Sequence, residues 1–158
     1  MESFFIEYQG QLWVLMHVCI ALVLGGAIGF EREMKKRPAG FRTHMLVAAT
    51  AALFTDLATL LTSSIDADLT STINADPTRV IVAIATGISF LGAGTIFRSE
   101  DGVTGLTTAA TLLMASALGV ATALEQYVLA VGLTIIVLVV LRTLGCISNR
   151  LTKNGDGR

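Results

Sequence analysis

The 158-residue chain is 53% hydrophobic and only 15% charged, with a mean hydropathy of +0.72, whereas soluble domains average roughly 45–50% apolar and about 25% charged. Apolar runs of about 20 residues consume most of the length, which excludes a soluble enzyme or a large multidomain regulator because no stretch is left for a soluble catalytic domain of at least about 50 residues. A net charge of −1 and a pI near 6.1 give no global attraction to nucleic acid, so no nucleic-acid partner is expected.

The segment from Met1 to Gly10 carries Glu2 and Glu7 and no Lys or Arg, the reverse of a signal peptide, so the first apolar run is expected to be retained. That run covers about 11–30 and holds one ionisable residue, His17. A basic loop follows, with Glu31, Arg32, Glu33, Lys35, Lys36, Arg37 and Arg42. The second span is expected at about 44–65, with Thr43 as its N-cap and Pro38 and Gly40 in the turn before it. After a polar stretch, Asp76-Pro77 reads as an N-cap followed by proline at the first helical position, opening a third span over about 77–97. The break from Arg98 to Gly102 leads to a fourth span at about 103–124. Only Glu125 and Gln126 separate it from a fifth at about 127–147, after which 148–158 reads as a polar tail. The runs are continuous, without the alternation of a membrane barrel, so the expected fold is all-α: a bundle of five transmembrane helices. Cys19 and Cys146 fall inside apolar runs and are expected to be buried free thiols.

Ten of the eleven basic residues lie in the first loop, the third loop or the carboxyl end, and only Arg79 stands on the other side. The positive-inside rule therefore places the first loop and the tail in the cytoplasm and the amino terminus outside, which requires an odd number of spans.

Inside the membrane, Asp56 costs several kcal/mol unless it is protonated, paired or hydrated. It lies roughly 13 Å from the outer end of its helix and His17 roughly 9 Å from the outer end of the first, so the two can meet. A His17–Asp56 pair reads either as a proton-sensing element or as a structural hydrogen bond, and Asp56 has a further option in threonines such as Thr59. On the fourth span Thr107, Thr111, Ala115, Gly119 and Ala123 recur every fourth residue and form a packing face. Gly25 and Gly29 make a GxxxG at the inner end of the first span, and Gly87, Gly92 and Gly94 make the third glycine-dense. These glycines read as close helix contacts or, alternatively, as a broken helix coordinating an ion. Arg42, at a helix N-terminus where positive charge is disfavoured, calls for an anionic partner such as Glu31, Glu33 or a lipid phosphate.

Five ordered blocks carry a resemblance: Gly25 to Glu33 (GGAIGFERE), Pro38 to His44 (PAGFRTH), Asp76 to Arg79 (DPTR), Phe90 to Gly94 (FLGAG) and Gly105 to Thr111 (GLTTAAT). Over about residues 20–120 the chain resembles the MgtC/SapB family of bacterial inner-membrane proteins. The resemblance implies a five-helix domain with no established enzymatic activity, an association with growth at low magnesium and survival in macrophages, and, in the name-giving branch, restraint of the membrane ATP synthase. It marks Glu31, Arg32, Gly40, Arg42, Thr43, Asp76, Arg79, Gly92, Gly94, Gly105, Thr107 and Thr108 as signature positions. Longer members carry a carboxyl-terminal domain resembling ACT domains, which is not expected here. The chain departs from the family pattern at Ile81-Val82-Ala83, where glutamine is usual, at Leu113, where tryptophan is common, and at Ser89, where glycine is usual.

Two functions follow. The first is a non-enzymatic membrane regulator that docks helix faces against a second copy or another inner-membrane protein. The second is a small proton or cation transporter or channel using Asp56 and His17. Magnesium itself fits poorly, because it gives up water reluctantly and the membrane interior offers one carboxylate. An intramembrane hydrolase lacks a nucleophile with a base at helical spacing. Neither a catalytic set, a metal site nor a cofactor is expected; lipid and a homo-oligomer, with a dimer favoured, are the expected partners.

Overall fold

A computed structural model of the chain describes residues 2–66, 78–100 and 102–155, with side chains over 8–62, 78–100 and 102–143. Among these residues the fold is five helices and one small hairpin: α1 (Glu2–Met34), α2 (Phe41–Asp66), α3 (Thr78–Ala93), β1 (Phe97–Ser99), β2 (Gly102–Thr104), α4 (Leu106–Ala123) and α5 (Tyr127–Gly155). Three stretches are long and apolar enough to cross a membrane: Tyr8–Met34, Phe41–Thr62 and Leu106–Ala123. Among the described side chains, Thr78–Ala93 and Tyr127–Thr143 are shorter apolar stretches, and α5 continues past the second of them to Gly155.

Several boundaries differ from those expected. The third helix ends at Ala93, not at 97. Gly92 and Gly94 weaken it there, and the Thr95 hydroxyl takes up the Gly92 carbonyl at 2.7 Å while the Thr95 N–H donates to it at 2.9 Å. The chain then pairs Phe97 with Thr104 and Ser99 with Gly102 in an antiparallel hairpin where only a break was expected. The fourth helix accordingly starts at Leu106, after Gly105 at φ +89°. A side chain on Gly105 would both adopt that left-handed conformation and fall on the Thr95 carbonyl, so glycine is required. The first helix runs past 30 to Met34, and the fifth continues to Gly155 where a tail was expected to begin at 148. A helix satisfies its own backbone and has no need to stop at the membrane surface.

The bundle is built around α1, α2 and α4, with α3 against α4 and α5 against α1 and α4. The register is set by small residues. A Cβ on Gly25 would lie 2.7 Å from Ala48 Cβ, and one on Gly119 would fall on the Ala48 carbonyl. The helix backbones therefore meet almost directly. Ala21, Ala48 and Ala52 fill the seam beside Ala123, while Ile28, Leu118, Ala130 and Val137 form the seam among α1, α4 and α5.

Candidate functional site

Two buried polar arrangements occupy opposite ends of the bundle. The first is centred on His17, which is 4% exposed, beside Asp56 at 8%. His17 Nδ1 lies 3.1 Å from both carboxylate oxygens of Asp56, and its Nε2 lies 3.0 Å from the Tyr127 hydroxyl. A neutral imidazole protonated at Nδ1 satisfies the whole set: it donates to Asp56 and accepts from Tyr127. One ring thus joins α1, α2 and α5. Asp56 turns to His17 and not to Thr59, whose hydroxyl donates to the Thr55 carbonyl at 3.0 Å. Trp13 and Tyr127 both lie beside the imidazole with tilted rings, 6.4 and 6.1 Å away.

The second arrangement brings together residues of three motif blocks near the α1–α2 turn. Arg32, 4% exposed, donates from Nη2 to Thr108 Oγ1 at 3.3 Å. His44, fully buried, donates from Nδ1 to the Gly40 carbonyl at 2.9 Å, and its Nε2 lies 3.1 Å from Thr111 Oγ1. The Thr111 hydroxyl is also 2.9 Å from the Thr108 carbonyl, so its single proton serves His44 or that carbonyl, one at a time. The result is a polar chain from α1 through α4 to α2. Arg32 Nε and Glu31 Oε2 are buried without a hydrogen-bond partner among the described residues. Glu31 Oε1 pairs with Lys35, which also donates to the Leu141 carbonyl at 2.8 Å and so ties α1 to α5.

The remaining expected residues fall as follows. Thr43 lies inside α2 and is exposed; the first α2 amide, Phe41 N–H, donates instead to Glu33 Oε2 at 2.7 Å, so the cap comes from the preceding helix. Gly40 packs on Glu33, where a Cβ would lie 2.6 Å from Oε2. Glu33 therefore serves α2 and Glu31 serves Lys35; Arg42 is exposed, and among the described residues no ion pair involves it. Thr107 points outward while its neighbour Thr108 is buried, so the packing stripe of α4 begins at Thr111. Gly29 faces Gly40 and Phe41, and Gly92 faces Ala109. Thr111, Ala115, Gly119 and Ala123 are thus taken up within one chain, where the sequence left open a face for a second molecule. Gly87 and Gly94 are exposed, as is Arg79, while Asp76 lies outside the described residues. Cys19 is exposed where burial was expected, and the Cys146 side chain lies outside the described set.

Sequence reasoning did not single out Glu33 as a cap, or His44, Lys35 and Tyr127 as parts of these networks. His44 carried a signal, a histidine in an apolar run with Thr108 and Thr111 one turn apart on another helix. No group of three or more His, Cys, Asp or Glu side chains among the described residues is placed to hold a metal.

Apolar helices of membrane-crossing length, close-packed through glycine and alanine and pinned by buried polar contacts, define a small helical membrane protein. The chain belongs to the MgtC family, whose model matches residues 18–150. It is 38% identical to Protein MgtC of Salmonella choleraesuis (strain SC-B67) over 90% of this chain and 58% of that protein. It is 40% identical to Protein MgtC of Salmonella paratyphi A over 78% of this chain and 49% of that protein. With Protein MgtC of Brucella abortus (strain 2308) it shares 44% identity over 63% of this chain and 38% of that protein. The chain therefore spans somewhat over half the length of the first of these relatives and less of the others. No solved structure matches it.

Proposed function

We propose that the protein is a non-enzymatic regulator in the bacterial inner membrane, serving growth at low magnesium and virulence through contacts with a second copy or another inner-membrane protein. In this reading five helices cross the bilayer, with the amino terminus outside and the carboxyl terminus in the cytoplasm. The supporting observation is that Arg32, Gly40, Gly92, Gly105 and Thr108 make contacts within the chain. Such residues hold a shape, and a shape acts by what docks on it. The exposed faces of α3 and α5, with Phe90, Val128, Ile135 and Ile136, offer apolar surface for docking. Cross-linking in native membranes followed by purification is expected to capture a second copy or an inner-membrane protein; capture of the monomer alone overturns the reading.

A second reading, proton or cation transport, is favoured by the Asp56–His17–Tyr127 chain, whose hydrogen bonds could pass a proton between helices. Proton flux in proteoliposomes that Asp56→Asn abolishes would support it, and absence of flux from the parent protein overturns it.

A further inference from the structure

Between α2 and α3 lies an elongated apolar cavity of about 420 Å³, partly open to its surroundings. Val47 and Phe54 line it from α2, and Ala83, Gly87 and Leu91 from α3. Among the described residues that line it, only Thr50 and Arg79 bring polar groups to its wall. Arg79 stands in the first turn of α3, exposed, and no described carboxylate pairs with it. Gly87 opens the wall further, since a Cβ there would meet nothing within 4 Å.

Dimensions decide what fills this space. Arg79 and Leu91 mark the two ends, and α3 rises about 18 Å between them. That is close to the roughly 15 Å depth of one leaflet's hydrocarbon, half of a core about 30 Å thick. A hydrocarbon chain is slim enough, and a cation where the apolar groove begins suits an anionic group attached to that chain. We propose that this groove is a glycerophospholipid site, with the phosphate on Arg79 and one acyl chain between α2 and α3. The neighbouring ends of both helices are then bridged by a lipid that moves with the protein, and this holds whether or not the regulator reading above is correct.

Native mass spectrometry of the full chain in detergent tests the assignment, with dioleoylphosphatidylglycerol and dioleoylglycerol as probes. The parent protein is expected to retain one phosphatidylglycerol and to hold dioleoylglycerol, which lacks the phosphate, roughly fivefold less well, as loss of one surface cation–phosphate contact implies. Arg79→Gln should erase that difference between the probes, and Gly87→Leu, which fills the groove, should weaken both. Helical content by circular dichroism is expected to stay unchanged, because Arg79 is exposed and Gly87 has open space beside it. Equal retention of the two probes by the parent protein overturns the proposal. So does undiminished lipid in Gly87→Leu, or a loss of dimer in that variant with lipid retained, which would assign the groove to a second copy.

Discussion

His17 is the point at which three helices share one side chain, and each of its two ring nitrogens has a single kind of partner. Removing the imidazole leaves Asp56 buried without its donor, whereas removing the Tyr127 hydroxyl leaves only a neutral acceptor unpaired. The two losses should therefore differ in size. His17→Ala is expected to lower stability in detergent by about 2 kcal/mol, the scale of a buried acceptor left without its donor. Tyr127→Phe is expected to lower it by about 0.6 kcal/mol, the average for hydrogen bonds between membrane helices. Thermal or denaturant unfolding of both variants checks this, and equal losses would contradict the greater weight given to the His17–Asp56 contact. That His17 could reach Asp56 was legible from depth alone, because a helix converts residue number into height. Tyr127 was not, since it opens a helix at the membrane edge, where tyrosine is ordinary. His44 and Glu33 were hidden for a related reason: their partners lie on other elements, and no spacing along the chain records a contact across helices.

The helices were legible wherever lipid imposes the rule, and their ends were not, because a boundary is decided by capping and turn chemistry. Thr43 has the residue type of a cap at a suitable place, yet Glu33 reaches across from α1 and α2 starts two residues earlier. The hairpin between α3 and α4 read as a mere break because six paired residues are too few to show a strand period. Gly105 is the hinge of that region: its φ of +89° and its approach to Thr95 both forbid a Cβ. Gly105→Ala is expected to cost at least about 2 kcal/mol, combining left-handed strain with a clash against backbone. Gly102, also at positive φ but with nothing within 4 Å, should tolerate alanine at about 1 kcal/mol. Comparing the two melting curves checks the difference, and similar losses would show that strain alone, without the contact, sets the cost.

For the molecule as a whole, the distribution of charge and the close packing of α1, α2 and α4 lead to separate expectations. With five crossings, ten of eleven basic residues would fall on one side, which predicts termini on opposite faces of the membrane. Tags placed at each end of the intact protein should be reached by an impermeant reagent at the amino terminus only, and labelling of both would exclude an odd number of crossings. Gly25, Gly29 and Gly119 hold helices of one chain together, so Gly119→Leu should unfold the monomer before it changes any assembly. A Leu side chain there would run into the Ala48 carbonyl and the Ala51 Cβ, and circular dichroism in detergent would show the loss.

The attachments of α5 differ from those of the central helices. It hangs on α1 by Tyr127 at its first residue and by the Leu141 carbonyl about midway along, with small and β-branched residues between. Two fasteners on the same neighbour make a clasp, and a clasp opens in one piece. When α5 loosens it should do so over its whole apolar length, so its amides would take up deuterium together, as one early block, while those of α2 remain protected until the bundle itself comes apart.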